Sequence, residues 1–229
     1  MKTELFVTLD WLEEKCCPLD CDLFVELFPE GEYSTAVLTK LTELGETTFA
    51  KWLVEVLPFN PVDLVINRLD DHLFYNGNVI IDNDVTTVND ISVKGDLTVN
   101  GKFIHTGSHT RIEAKNLNAT EVYLYGVTLA VSNINVDKTV KVCDGANLYA
   151  STLKANILAV FDAKCVVNIK SIEVDLAYLL QGLINGDLIT NTLATESCCV
   201  VQGKIQAQIL MGGAANWDKF LPKIEKYSK

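Results

Sequence analysis

Residues 117–136 read LNATEVYLYGVTLAVSNINV, a stretch that begins and ends with the same step of an apolar, a polar and an apolar residue. The step recurs along the chain with spacings of 17, 19, 19 and 21 residues. Its copies are Leu117-Asn118-Ala119, Ile134-Asn135-Val136, Leu153-Lys154-Ala155, Ile172-Glu173-Val174 and Leu193-Ala194-Thr195. A nearly constant period of short alternating segments predicts a solenoid of stacked β-strands. The core of a solenoid is filled by side chains, so its function is expected on its surface.

The alternating pattern begins at Asn76-Gly77-Asn78 and extends to about residue 213. Short runs of period two are separated by turn residues such as Gly95-Asp96 and Asn100-Gly101. Asn-Gly between two strands is also a hairpin signal, but the sustained repeat favours a solenoid corner there. We therefore predict a mainly β protein with a parallel β-helix over residues 73–213.

Residues 1–72 instead show the helical period of about 3.6 residues and are predicted to form a small bundle. Thr8 is expected to cap the first helix, and Gly45 is expected to end the third. The other predicted helices cover residues 21–28, 34–44, 47–57 and a short segment from Pro61 through Leu69.

Solenoid ends expose unpaired strand edges and need covering. The helical bundle 1–72 is expected to cap the first coil. A C-terminal helix over 214–229 is expected to cap the last coil, through an apolar stripe at helical spacing. The stripe consists of Trp217, Phe220, Leu221, Ile224 and Tyr227.

The run GNVIIDNDVTTVNDISVKGDLTVNG, residues 77–101, resembles bacterial β-helical proteins of the polymer-forming, bactofilin-like kind. Their coils are also written as steps of glycine, a short polar residue and alternating aliphatic residues. The resemblance covers residues 77–213. It implies a right-handed β-helix that assembles end to end.

The charge is distributed unevenly. The formal net charge is −11, and residues 1–72 hold 15 Asp/Glu and 5 Lys/Arg, a net of −10. This asymmetry argues against nucleic acid or an anionic membrane as a partner of the helical region and favours a basic protein. The residues expected to bind such a partner are Glu13, Glu14, Asp20, Asp22, Glu26, Glu30 and Glu32.

Composition predicts a folded, cytoplasmic protein. Hydrophobic residues make up 48% of the chain, and no apolar run approaches the roughly 20 residues of a membrane helix. The start, MKTELFVTLDWLEEK, lacks the pattern of a signal peptide. The seven cysteines include the adjacent pairs Cys16-Cys17 and Cys198-Cys199, which rarely form disulfides, so reduced thiols are expected.

The chain has few motifs that carry chemistry. Cys16, Cys17 and Cys21 lack a second ligand pair at zinc spacing, and His105 and His109 lack a third ligand, so neither group predicts a metal site. No phosphate-binding loop and no nucleophile motif is present, and no catalytic residue or cofactor is predicted.

Two further functions would each require a characteristic set of surface residues. A carbohydrate-active β-helix enzyme would need clustered carboxylates, and the available carboxylates are interspersed with lysines. They are Asp137, Asp144, Asp162, Glu173 and Asp175. Nucleic-acid binding would need a basic patch with interleaved aromatic residues. The aromatic residues of the solenoid, Tyr123, Tyr125 and Phe161 among them, are expected to lie singly among apolar residues.

The sequence thus predicts a non-enzymatic β-solenoid that acts as a scaffold or interaction protein, whose partner is another protein or a second copy. The alternative is an immunity-type inhibitor that binds a basic toxin or nuclease through the acidic helical region. The carbohydrate-active enzyme is the second alternative.

Overall fold

The computed structural model describes residues 4–15, 17 and 21–212, without the side chains of residues 196–198. The described chain is mainly β and contains a parallel β-solenoid of about 8 turns together with four helices. The predicted fold class is confirmed at this level. The predicted C-terminal helix, residues 214–229, lies outside the described residues.

The helical region contains a two-stranded antiparallel ribbon as well as helices. Its elements are β1 (Phe6–Val7), α1 (Leu9–Glu14), α2 (Asp22–Leu27), β2 (Glu32–Tyr33), α3 (Ser34–Glu43) and α4 (Thr47–Val56). The solenoid strands are β3 (Leu64–Ile66), β4 (Leu73–Tyr75), β5 (Val79–Ile81), β6 (Val85–Thr87), β7 (Ile91–Val93), β8 (Leu97–His105), β9 (Arg111–Tyr125), β10 (Thr128–Cys143), β11 (Asn147–Val160), β12 (Val166–Val201) and β13 (Ile205–Gly212).

The four helices form where the helical period predicted them. The Thr8 hydroxyl accepts a hydrogen bond from the Trp11 amide at 3.3 Å and caps α1. Gly45 follows α3 with a φ of 74°, the left-handed conformation that ends many helices. Leu38, Leu41 and Leu53 are fully or almost fully buried where α3 and α4 pack together.

The solenoid has three faces, each a column of parallel strand segments in register. Face A runs through residues 64–66, 79–81, 97–99, 117–119, 134–136, 153–155 and 172–174. Face B runs through 85–87, 103–105, 122–124, 140–142, 158–160 and 177–179. Face C runs through 73–75, 91–93, 112–114, 129–131, 148–150 and 167–169.

Alternation within each segment fills the core with aliphatic side chains. On face A, for example, Leu97 and Val99 point inward and are buried, whereas Thr98 between them is half-buried. Each inward residue stacks on its equivalent one turn away, at the strand spacing of about 4.8 Å. The core is therefore a set of continuous aliphatic columns, with Phe103 as its largest fully buried side chain.

A polar ladder runs along the corner that precedes face A. The side chain of Asn78 donates to Asp63 at 2.9 Å, Asn116 donates to Asp96 at 2.7 Å, and Asn133 donates to Asn116 at 2.7 Å. The hydroxyl of Thr152 continues the ladder by donating to Asn133 at 2.7 Å. These bonds satisfy corner side chains in successive turns and fix the register between them.

Four of the five predicted steps, from Leu117 to Val174, stack in register on face A. The fifth, at Leu193, is wrong: Thr190 and Asn191 lie beside Asp175, with hydrogen bonds of 3.1 and 2.9 Å. Leu193 pairs instead with Leu210 of β13. Every face has the same alternation of apolar and polar residues. A turn with fewer residues than the others therefore moves a step to another face, and the sequence pattern does not reveal the move.

The short helix predicted from Pro61 to Leu69 is also wrong. Leu64–Ile66 forms β3, which pairs in parallel with Val79–Ile81. Leu64 and Ile66 pack against the solenoid core, whereas Val65 is exposed. The tertiary pairing satisfies this backbone as a strand and overrides the local helical period. The parallel stacking thus begins before residue 73.

The helices contact the flank of the first turns on face C. Phe74 points outward from β4 and is buried in the helical cluster rather than in the solenoid core. Glu113 lies on face C two turns beyond Phe74, and its carboxylate is 2.9 Å from the Lys51 ammonium of α4. The Lys94 ammonium donates to the carbonyls of Glu55 and Leu57 at the end of α4. α4 therefore spans three consecutive turns.

Candidate functional site: an acidic groove on the helical region

A groove of about 610 Å³ opens between α2, β2 and α3. Its floor is apolar and includes Leu27, Phe28 and Ala36, and the ring of Tyr33 extends the floor toward solvent. Tyr33 is 52% exposed, although it is a large aromatic residue. Exposed aromatic surface beside an apolar floor is typical of surfaces that bind other proteins.

Carboxylates surround this apolar floor. Glu4, Glu32 and Glu43 line the groove, and Lys40 is the one ammonium among the described residues that line it. Three carboxylates and one ammonium give the groove a formal charge of −2. The groove thus combines an apolar surface with a negative rim.

Glu4 is held in place by the start of α3. Its Oε1 accepts hydrogen bonds from the Thr35 amide at 2.5 Å and from the Ser34 hydroxyl at 3.3 Å. Tyr33, the residue at the N-cap of α3, makes no side-chain capping bond. The Glu4 carboxylate therefore caps the first turn of α3, where the helix dipole favours negative charge.

The other two rim carboxylates have exposed or partly exposed partners. Glu43 pairs with Lys40 at 3.2 Å, one turn away on α3, and both side chains are largely exposed. Glu32 Oε1 accepts from the Tyr33 amide at 2.8 Å. Such exposed contacts contribute little to stability, so these carboxylates remain available to a partner.

Aromatic contacts fix the rings that form part of the floor of the groove. The Tyr33 and Phe6 rings meet edge to face with centroids 5.3 Å apart, across the β1–β2 ribbon. The Phe28 ring lies 5.4 Å from the ring of Phe24, which is buried in the helical core. Rings held in this way present a fixed surface at low entropic cost.

The predicted partner-binding residues are only partly brought together. Glu32 lines the groove, whereas Glu13 and Glu14 are exposed on α1 and do not line it. Glu14 pairs with Lys15 at 3.6 Å. The remaining predicted residues outside the groove are Asp22 and Glu26, exposed on α2, and Glu30, exposed in the turn before β2. Asp20 lies outside the described residues.

Sequence reasoning missed the apolar floor. Ala36 lies on the predicted third helix among apolar residues, but it is exposed to the groove. Ala36, Thr39, Lys40 and Glu43 all line the groove, and they recur with the spacing of one helix face. The helical spacing of these four residues was the one indication of the groove in the sequence. Because the set mixes polar and apolar residues, it looks like an ordinary solvent-exposed helix face.

A second groove, of about 720 Å³, lies along face A of the solenoid. It collects three of the five carboxylates considered for carbohydrate chemistry, Asp137, Glu173 and Asp175, but not Asp144 or Asp162. Glu173 forms an exposed ion pair with Lys154 at 3.2 Å. Asp175 accepts a hydrogen bond from the Asn191 side chain at 2.9 Å.

The two histidines of the 105–109 segment do not form a pair of ligands. His105 is fully buried, its Nε2 lies 2.8 Å from the Asn89 carbonyl, and its Nδ1 accepts from the Gly107 amide at 3.2 Å. Burial lowers the pKa of His105, because the charged imidazolium is poorly solvated there. His109 is exposed in the following turn.

Cys17, Cys143, Cys165 and Cys199 are free thiols. Cys17 and Cys21 pack, half-buried, against the helical cluster, and Cys16 lies outside the described residues. Burial raises the pKa of Cys143 to about 11 and that of Cys199 to about 12, which makes both thiols poor nucleophiles. In the described part of the chain, no group of three or more His, Cys, Asp and Glu side chains could hold a metal ion.

None of the described helices is both long and apolar enough to cross a bilayer. The comparisons with known proteins were negative: no protein-family model, no curated protein and no solved structure matches this chain.

Proposed function

We propose that this protein is a non-enzymatic interaction protein in which the solenoid is a scaffold for the acidic groove. The observation that carries the proposal is the groove itself, with an apolar floor of Leu27, Phe28 and Ala36 inside a carboxylate rim. An amphipathic helix with a basic polar face fits such a groove, since its apolar residues fill the floor and its lysines meet the rim.

The attachment of the helices supports the scaffold role. Phe74, Lys94 and Glu113 join α4 to three successive turns of face C. We propose that the helical region also protects the N-terminal turns, as a cap. The resemblance of residues 77–101 to polymer-forming β-helical proteins is consistent with a right-handed rod that has a structural role.

The net charge of −10 on residues 1–72 supports a basic partner. Charges outside the groove, such as Glu13 and Glu14, would accelerate encounter with a cation, whereas the groove would determine the lifetime of the complex. An immunity-type inhibitor of a basic toxin or nuclease is one form of this function, and it would use the same groove.

A defined peptide tests the proposal. The probe is a helical peptide of leucine and lysine with one apolar face, and the control peptide has glutamate in place of lysine. We expect the lysine peptide to bind in isothermal titration calorimetry, more weakly as salt increases, and the glutamate peptide not to bind. Glu32→Lys/Glu43→Lys should abolish binding.

The matched control is Glu13→Lys/Glu14→Lys, the same change of charge outside the groove. This variant should slow association but leave the dissociation rate nearly unchanged. Equal loss of binding in both double variants would mean that diffuse negative charge, rather than the groove, binds the peptide. That result, or no binding of the lysine peptide at all, would contradict the proposal.

A further inference from the structure

A cluster of lysines and aromatic rings lies on face B, on the strands β8, β9 and β10 and at the corner that follows β11. Its members, which we call the lysine–aromatic cluster, are Lys102, Tyr123, Tyr125, Lys141 and Phe161. The solenoid brings together rings up to 38 residues apart in the chain, because face B stacks one turn on the next. The expectation that these aromatic residues lie singly among apolar residues is therefore wrong.

Lys141 is the centre of the cluster. Its ammonium lies 5.0 Å from the centroid of the Phe161 ring, 5.7 Å from that of Tyr125 and 6.0 Å from that of Tyr123. Within the described part of the chain, no carboxylate lies within ion-pair distance of this ammonium. The rings hold the cation through cation–π contacts, but its formal charge is not neutralised by a counterion.

The neighbouring charges leave the cluster positive. Glu121 accepts from the Tyr123 hydroxyl at 2.7 Å and pairs with Lys102 at 3.2 Å and Lys138 at 3.9 Å. The hydrogen bond from Tyr123, and after it the one from Lys102, holds the pKa of Glu121 below its ordinary value. Glu121 thus pairs with two of the ammonium groups here and not with Lys141. Among the described residues this area holds three ammonium groups and two carboxylates: Lys102, Lys138, Lys141, Glu121 and Asp84.

The side chains of the cluster are half-buried, so the rings and the ammonium of Lys141 reach the surface. Tyrosine is one of the residues enriched at the energetic hot spots of protein interfaces. A partner that fits this cluster would present apolar surface for the rings and carboxylates for the lysines.

The acidic groove of this same chain has both properties. Its floor is apolar, its rim carries Glu4, Glu32 and Glu43, and it belongs to the region that holds almost all of the excess negative charge. We propose that the lysine–aromatic cluster of one molecule binds the acidic groove of a second molecule. This inference rests on the proposed function, because it names the basic partner of the groove.

The two surfaces occupy different parts of one molecule. The helical region is fixed to face C of the first turns through Phe74 and Glu113, whereas the cluster is centred on Tyr123 and Lys141 of face B. The contact is therefore heterologous, and repetition of it produces a ring or an open chain of molecules. This assembly is lateral and leaves the ends of the solenoid unpaired with each other.

Light scattering coupled to size-exclusion chromatography tests the inference with the full chain. We expect the mass to rise with protein concentration at low salt and to fall with added salt. Tyr125→Ala/Lys141→Ala and Glu32→Gln/Glu43→Gln should each weaken self-association by about tenfold or more. The matched control, Lys154→Ala, removes an exposed lysine from face A and should leave the mass unchanged.

A mixture of the two double variants gives the sharpest result. One variant retains the groove and the other retains the cluster, so an equimolar mixture should form a one-to-one dimer and stop there. Circular dichroism spectra and unfolding midpoints equal to those of the unmodified chain establish that each variant is folded.

Three results would overturn the inference: a monomer at every concentration, self-association that both variants leave unchanged, or a mixture that stays monomeric. The leucine–lysine peptide separates this failure from failure of the proposed function. Binding of the peptide to a strictly monomeric protein would keep the groove as a site for a different partner, whereas no binding of the peptide would overturn the proposed function as well.

Discussion

The helical region and the solenoid are stabilised in different ways. In the solenoid, each inward residue packs against its equivalents one turn before and one turn after, as in the column that holds Phe103 and Val122. Among the described residues, the helical region has one small core, to which the solenoid contributes Phe74. Damage in the solenoid should therefore be shared among neighbouring turns, whereas damage at Phe74 should release the helices.

The two regions also differ in charge. Residues 1–72 carry a net charge of −10 and residues 73–229 a net charge of −1, because the second region holds 15 Asp/Glu and 14 Lys/Arg. The repeating core of the solenoid does not depend on its surface charges, which are nearly balanced. The comparison teaches that the repeating core and the excess charge are separated in this chain: the solenoid provides the stacked core, and the helical region carries most of the net negative charge.

The largest expected effects come from Phe74→Ala and Phe103→Ala. Both side chains are buried, at 6% and 0% exposure, so each substitution should lower the free energy of unfolding by about 3–5 kcal/mol. Hydrogen exchange measured by mass spectrometry should separate them. Phe74→Ala should increase exchange in α3 and α4, whereas Phe103→Ala should increase it in the neighbouring turns of β6, β8 and β9.

This pair also shows how the comparison could fail. If Phe74→Ala increased exchange through β10 and β11 as well, the helices would be needed for the whole solenoid to fold. If Phe103→Ala increased exchange in α3 and α4 as much as in β9, the two regions would unfold as a single unit.

A smaller effect is expected from the polar ladder. Asn116→Ala removes the donor to Asp96 and the acceptor for Asn133, so it should lower the free energy of unfolding by about 1–3 kcal/mol in urea denaturation. Asn116→Asp should cost more near neutral pH, because it places a carboxylate beside Asp96, and less below about pH 4, where carboxyl groups are protonated.

Asn135→Ala is the matched control for the ladder. Asn135 also donates to an asparagine one turn away, Asn118 at 3.0 Å, but it lies exposed on the outside of face A. Its loss should change the free energy of unfolding by less than about 0.5 kcal/mol. Equal costs for Asn116→Ala and Asn135→Ala would show that the corner ladder has no special role in register.

The smallest expected effect is a dependence on pH that arises inside the solenoid. The pKa of His105 is lowered in the folded state, so the unfolded chain binds a proton first as the pH falls. The free energy of unfolding should decrease as the pH drops through about 6.5, the ordinary pKa of histidine, and level off below the folded pKa. Urea denaturation at a series of pH values measures this slope.

His105→Leu should remove that part of the slope, at the cost of the hydrogen bonds to Asn89 and Gly107. His109→Leu is the control, since the side chain of His109 is exposed. A slope that persisted in His105→Leu would assign the pH dependence to other groups.

The sequence predicted the solenoid because parallel stacking requires the same residue type at the same place in every turn. The step at Leu117 is followed in register by those at Ile134, Leu153 and Ile172. The helices α3 and α4 were predicted nearly to the residue, since apolar spacing and Gly45 mark their bounds.

The failures share a physical cause, which is that local pattern does not determine tertiary neighbours. The segment from Pro61 through Leu69 has the apolar spacing of a short helix. Leu64–Ile66 within it forms a strand because the backbone of Val79–Ile81 pairs with it in parallel. Leu193 has the same pattern as the four earlier steps but lies on a different face from them.

Of the candidate site, the sequence predicted the negative charge but not the position or the apolar floor. Seven acidic residues were proposed for partner binding, and Glu32 is the one among their described members that lines the groove. The floor depends on how α2, β2 and α3 meet, which no spacing in the sequence reports. The lysine–aromatic cluster was missed for the same reason, because Lys141 and Phe161 become neighbours only when consecutive turns stack.

The polar ladder has a consequence for how this protein changes over evolutionary time. Asn116 and Asn133 each donate to the previous turn and accept from the next one, so they are interchangeable links. A duplication or deletion of one complete turn between two such links would leave every remaining link with a donor and an acceptor. The rod can thus lengthen or shorten by whole turns, and the distance between the helical region and the far end can evolve independently of both.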